Sequence, residues 1–144
     1  MPKKFAITSD HAGFKRKEEI IEYLKNQGFE VNDLGPKNEE SVSYAVYGNK
    51  LANFLLENPE QIGIAICGTG LGMSYALNRF KKIRAARVTS ENDAYFAKLH
   101  NNANVIALSG RFNSKDESIS FIKKFLETEY EGGRHQERID ELDK

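Results

Sequence analysis

The chain has 144 residues, with 21 Lys+Arg against 21 Asp+Glu, three histidines, one cysteine and no tryptophan. A 40% hydrophobic content supplies a core and excludes a disordered chain, and the length is that of one ordinary domain, predicted over 1–144. Balanced charge argues against a general nucleic-acid or anionic-membrane binder, and a lone cysteine cannot form an internal disulfide or a multi-cysteine metal site. The opening segment, Met1-Pro2-Lys3-Lys4-Phe5, lacks the apolar run of a signal peptide, and no stretch approaches about 18 apolar residues. A soluble cytoplasmic protein is therefore expected, with no nucleic-acid or membrane partner.

In chain order, short apolar runs alternate with helical periodicity. Strands are expected at Phe5-Ala6-Ile7, Phe29-Glu30-Val31, Ile62 to Ile66, Ala85 to Val88 and Val105 to Leu108. Helices are marked by Ile20 with Leu24, by Tyr47, Leu51, Phe54 and Leu55, and by Met73, Ala76, Leu77 and Phe80. Tyr95 with Leu99, and Ile119 with Ile122 and Leu126, mark two more. Five β-α repeats predict an α/β fold, a parallel sheet covered by helices on both faces. The segment Glu131 to Lys144 is polar and reads as a tail that docks elsewhere rather than joining the core.

In such folds ligands bind beyond the carboxyl ends of the strands, which directs attention to the loops after them. Gly68-Thr69-Gly70-Leu71-Gly72 follows the third strand, and alternate glycines free backbone amides to face an anion. A plain strand-to-helix turn would carry the same glycines. The dinucleotide fingerprint would need glycine at the position of Met73, and no G-K-[ST] completes a P-loop. Cys67, just before this loop, is either a small core hydrophobe or a thiol whose pKa falls from about 8.5 at a helix start. A cysteine-phosphatase loop, C-x5-R, fails because Met73 stands where arginine is required. As a thiolate, Cys67 could abstract a proton beside a carbonyl while loop amides hold the oxyanion. Asp10-His11 serves either as a helix cap or as a contact to sugar hydroxyls or phosphate. Arg134 and Arg138 share a face if their segment is helical, which suits phosphate as well as it suits surface salt bridges. Lys81-Lys82-Ile83-Arg84 reads as a solvated turn.

Four motifs then occur in one order: Asp10-His11-Ala12-Gly13, Cys67-Gly68-Thr69-Gly70-Leu71-Gly72-Met73-Ser74, His100-Asn101-Asn102-Ala103-Asn104 and Glu131-Gly132-Gly133-Arg134-His135. Together they resemble the type B ribose-5-phosphate isomerase family, which includes the galactose-6-phosphate isomerase subunits, across essentially the whole chain. The resemblance implies a three-layer α/β/α sandwich with a five-stranded, Rossmann-like parallel sheet. It also implies a homodimer whose sites draw on both chains, with dimers pairing into tetramers as a further option. The implied reaction interconverts an aldose phosphate and a ketose phosphate without metal or organic cofactor.

By motif, the resemblance implies that Cys67 is the base moving a proton between C2 and C1 through a cis-enediolate. Thr69 and the amides of Gly68, Gly70 and Gly72 would stabilise the enediolate oxygens. His100, with Asp10 and Tyr44 nearby, would open the sugar ring, and Asn101 would contact the sugar. His11, Arg111, Arg134 and Arg138 would hold the phosphate, giving the polar segment 131–144 a part in the site. His135 gains no role. The chain departs from the family where it reads Val42-Ser43-Tyr44-Ala45-Val46 instead of Val-Asp-Tyr-Pro-Asp, losing two carboxylates and a proline. Asn102 likewise replaces a common Asp. Ribose 5-phosphate and ribulose 5-phosphate are the expected pair. Galactose 6-phosphate or allose 6-phosphate with the same chemistry is the alternative, followed by a non-catalytic sugar-phosphate-binding regulator.

Overall fold

The computed structural model describes residues 3–144. Met1 and Pro2, part of the opening segment, lie outside the described residues. In chain order the elements are β1 (Lys4–Ser9), α1 (Phe14–Asn26), β2 (Glu30–Asp33), α2 (Tyr44–Glu57), β3 (Ile62–Cys67) and α3 (Leu71–Leu77). They continue with β4 (Ala85–Arg87), α4 (Glu91–Leu99), β5 (Val105–Ser109), α5 (Lys115–Glu127) and α6 (Arg134–Leu142). All strand pairs are parallel, in the order β2-β1-β3-β5-β4. This is the expected α/β/α sandwich. Among the described residues, no helix is long and apolar enough to cross a membrane.

Strand residues alternate faces, and here the alternation separates large side chains from small ones. Phe5, Ile7, Ile64, Ile66, Ile106 and Leu108 pack with Ile20 and Leu24 of α1, Ala94 and Ala97 of α4, and Phe121, Ile122 and Phe125 of α5. The opposite face presents Ala6, Ala65, Cys67, Val105 and Ala107 to Leu51 and Leu55 of α2 and Met73 and Leu77 of α3. Small residues let α2 and α3 lie close. A Cβ on Gly63 would stand 2.7 Å from Leu55 Cδ1, and one on Gly48 2.9 Å from Ala76 Cβ. Cys67 therefore sits under the closely packed layer, at the carboxyl end of the central strand.

The second strand is Glu30–Asp33 rather than Phe29 to Val31, and two larger differences from the sequence expectation stand out. The third helix ends at Leu77, and Phe80, which continues its apolar period, lies in the turn beyond. The cause is Asn78, whose side chain bonds both Ala85 N (2.8 Å) and Ala85 O (2.9 Å) and draws the chain toward β4. The polar segment forms α6 and docks on its own chain rather than elsewhere: Ile139 is buried, and Lys82 N donates to Asp143 Oδ2 at 3.0 Å. Between α6 and the approach to β4 lies a cavity of about 370 Å³, lined by Asn78, Ile83, Arg84, Asn101, Ile139 and Leu142 among others. It is at the sheet's amino end, remote from Cys67.

Candidate active site

Cys67 ends β3 with only 4% of its surface exposed. The chain then turns through Gly70 at φ +82, a left-handed conformation that glycine adopts without strain. That turn aims Gly70 N at Cys67 Sγ, 3.1 Å away, so a backbone donor faces the sulfur. Leu71 N donates to Thr69 Oγ1 at 3.1 Å. Gly70 was expected to hold an enediolate oxygen, but its amide is already engaged by the sulfur. The amides of Gly68 and Gly72, with the Thr69 hydroxyl, are left for a ligand.

Neighbouring strand ends wall this loop. After β5, Gly110 N donates to Cys67 O (2.8 Å) and Arg111 N to Gly68 O (3.1 Å). The Arg111 guanidinium covers Gly68 closely, since a Cβ there would lie 3.2 Å from Arg111 Nη2. Across the loop the Tyr44 ring leaves no room for a side chain on Gly72, where a Cβ would come within 2.8 Å. After β1, Asp10 is buried; its backbone N–H donates to Ile66 O (3.0 Å) and its Oδ1 accepts from Gly13 N (3.0 Å). His11 Nδ1 lies 3.2 Å from Val42 N and 3.3 Å from Val42 O, tying the first loop to the segment that leads into Tyr44. Asp10, His11, Tyr44, Cys67, Thr69 and Arg111 thus meet at one end of the sheet.

Arg87 belongs with them and was missed in the sequence. It ends β4, and its Nε donates to Thr69 O at 2.9 Å. The rule that directed attention to strand ends would have found it.

His100, Asn101, Arg134 and Arg138 do not join this group. Helix α4 runs from the carboxyl end of β4 back to the sheet's amino end, and His100 caps its C-terminus. Asn101 O accepts from Arg84 Nε (3.1 Å), just before β4 begins. Asn102 takes φ +43, a conformation asparagine tolerates, and its Oδ1 accepts from Lys98 Nζ at 3.0 Å. The half-buried Lys98 ammonium is pushed below its ordinary pKa, first by burial and then by the charges of Lys3 and Arg84. Arg134 and Arg138 are exposed on α6, and neither forms an ion pair among the described residues. The strand β5 separates the two groups; four residue steps along it span about 13 Å. The expected closeness of His100 to Asp10 and Tyr44 is therefore not met within one chain, because an α/β crossover returns each helix to the opposite edge.

The profile of the Ribose/Galactose Isomerase family matches residues 5–142. The chain belongs to that family. It is 43% identical to a probable ribose-5-phosphate isomerase B of Mycoplasma genitalium, over 94% of this chain and 91% of that one. The crystal structure of a ribose 5-phosphate isomerase from Thermotoga maritima superimposes with a TM-score of 0.95 at 45% identity, covering 98% of this chain and 97% of the other. A Mycoplasma genitalium ribose-5-phosphate isomerase B solved with bound ribulose-5-phosphate gives 0.94 at 42% identity, covering 99% and 95%. The chain is thus a sugar-phosphate isomerase of the type B ribose-5-phosphate isomerase family. That leaves no place for the non-catalytic regulator among the readings.

Proposed function

We infer that this isomerase interconverts ribose 5-phosphate and ribulose 5-phosphate in the cytoplasm, with Cys67 as the base. The observation that carries the reading is Cys67 Sγ on the floor of the glycine loop, facing Gly70 N at 3.1 Å and walled by Arg111 and Tyr44. An aldose–ketose shift needs a proton taken from C2 and returned to C1, with the intervening enediolate held by hydrogen-bond donors. A thiolate at Cys67 removes the proton, and the Gly70 amide stabilises the sulfur's negative charge. The resulting cis-enediolate rests against the Thr69 hydroxyl and the Gly68 and Gly72 amides; the same sulfur then returns the proton to the adjacent carbon. Burial of the thiol restricts contact to a substrate carbon pressed into the loop. Neither metal nor organic cofactor is needed in this scheme.

Ring opening and phosphate binding call on His100, Asn101, Arg134 and Arg138, which one chain holds at the other end of its sheet. A homodimer that sets the amino end of one chain against the cleft of its partner completes the site. Arg111 and His11 then meet Arg134 and Arg138 around one phosphate, where forked guanidinium groups bind well. Exposed apolar side chains beside the cleft, Tyr44, Val46, Leu71 and Tyr75, supply a surface for such pairing.

The altered segment fits this picture in part. Ser43 occupies the cap position of α2, accepting from Ala45 N (3.1 Å) and Val46 N (3.3 Å), so the lost Asp is replaced in its capping capacity. Val46, 62% exposed, puts an apolar side chain where the family usually has a carboxylate. That carboxylate-free cleft wall favours a second reading, a six-carbon 6-phosphate as substrate. Side-by-side kcat/KM measurements on five- and six-carbon phosphates decide, and a large preference for ribose 5-phosphate eliminates the second reading. The base assignment is tested by Cys67→Ala, which should lower turnover by about 10³-fold while sugar-phosphate binding persists. Undiminished turnover refutes it.

A further inference from the structure

Among the described residues, one group of metal-ligating side chains lies together, and it is outside the Cys67 cleft. His100, Glu131 and His135 each offer a ligand atom, and these atoms all lie within 4.8 Å of one another. Glu131 Oε2 stands 3.5 Å from His100 Nε2 and 3.5 Å from His135 Nε2. Those separations are long for charge-assisted hydrogen bonds, which run about 2.7–2.9 Å. They match a different geometry. Two ligands about 2.1 Å from a tetrahedral zinc ion are about 3.4 Å apart, so two of the separations already have the right length, and a turn of the stacked rings would bring both Nε2 lone pairs onto one ion.

The fold holds the three groups where they are. Glu131 N donates to Leu99 O at 3.0 Å, pinning this residue to the end of α4 that carries His100. His135 lies four residues on, in the first turn of α6, and its ring stacks on His100 with centroids 4.5 Å apart and planes 19° from parallel. Phe96 supports the other ring, its centroid 5.0 Å from that of His100. Two imidazoles and one carboxylate suit zinc, nickel or cobalt, whereas magnesium and calcium favour oxygen donors throughout. Three protein ligands also leave the fourth tetrahedral position open to water.

We propose that His100, Glu131 and His135 form a site for a divalent transition metal of the zinc type, and that its occupation inhibits the isomerase. Bound metal takes Nε2 of His100 and removes that ring from work on the sugar. The inhibitory part rests on the reading of His100 as a ring-opening group; metal binding does not.

Equilibrium dialysis of the full-length, metal-free protein against Zn²⁺ tests the site, with Co²⁺ as a spectroscopic probe. The expected result is one ion per chain and the visible absorption of tetrahedral Co²⁺. Glu131→Gln and His135→Ala should each weaken binding at least about tenfold, the lower end of what disturbing a metal site costs. Glu131→Gln preserves the shape of an exposed side chain, and circular dichroism confirms its fold. Zn²⁺ should inhibit the unmodified enzyme, and a chelator should restore it. Each variant, compared with its own metal-free rate, should resist Zn²⁺ in proportion to its lost affinity. Absence of stoichiometric binding overturns the proposal. So does affinity unchanged in both variants, which would move the ion to another donor such as Cys67. Binding that follows the triad while turnover stays unaffected overturns the inhibitory part and the placing of His100 in ring opening, leaving the Cys67 chemistry intact.

Discussion

At the carboxyl end of the sheet, Cys67, Thr69, Arg111 and Tyr44 are fixed by backbone hydrogen bonds and by glycines with no room for a Cβ. At the amino end, His100 and Asn101 follow the end of α4 and Arg134 and Arg138 lie along α6, half-buried or exposed. On the function proposed above, the active site needs both groups, and a second copy of the chain would supply the group that one chain holds apart.

The comparison breaks most sharply at Cys67. Cys67→Ala should lower kcat by about 10³-fold, within the range of a lost general base, with KM little changed. Steady-state kinetics checks this. A mixture then tests whether the two ends cooperate across chains. Cys67→Ala protein refolded together with Arg134→Ala protein should be more active than either alone, because a hybrid dimer contains one site with both residues intact. Activity equal to the sum of the separate proteins would place both groups in one chain's site.

Arg134→Ala by itself should act chiefly on binding. Losing a charge-assisted contact to phosphate costs about 1.5–3 kcal/mol, or roughly 10- to 100-fold in KM for a phosphorylated sugar. An equal loss for the unphosphorylated sugar would remove the phosphate clamp from the amino-end group.

The carboxyl end should resist even small additions. A Cβ on Gly13 would lie 2.6 Å from Ile66 O and 2.7 Å from Ile66 Cγ2, and the backbone oxygen cannot swing aside. Gly13→Ala is expected to cost about 1–3 kcal/mol of stability, as overpacking does. Urea denaturation measures it. Gly132→Ala, at a position with nothing within 4 Å, separates crowding from conformation, since φ +72 there leaves only backbone strain.

How much of this was legible in the sequence follows from what periodicity can carry. The inner strands β1, β3 and β5 are short apolar runs buried on both faces, so they stood out, as did the motifs that follow them, while the half-exposed edge strands β2 and β4 gave a weaker signal. The extent of α3 did not, because Phe80 keeps the helical period while the side chain of Asn78 ends the helix. The tail α6 was hidden by its composition. Ile139 is its one buried residue, too little apolar signal for a helix to be read. The separation of His100 from Cys67 was beyond motif order altogether. Sequence lists both as site residues, and only the crossover of α4 puts them at opposite ends. Glu131 and His135 escaped for a related reason: their partner His100 is 31 and 35 positions away, and no local spacing marks the triad.

The smallest expected effect concerns the altered segment beside the cleft. Ser43 has taken over the capping of α2, and that helix begins with Tyr44, whose ring lies against Gly72. Ser43→Ala should cost about 1 kcal/mol in stability through the lost cap. Ser43→Asp, which restores the usual family residue, should keep the cap and favour the helix N-terminus electrostatically, so its stability should match or slightly exceed that of the natural chain. If activity also rises in Ser43→Asp, the missing carboxylate acts on substrate. If stability alone responds, position 43 serves only to hold Tyr44 over the glycine loop, and the carboxyl end of the sheet needs no further acid for its chemistry.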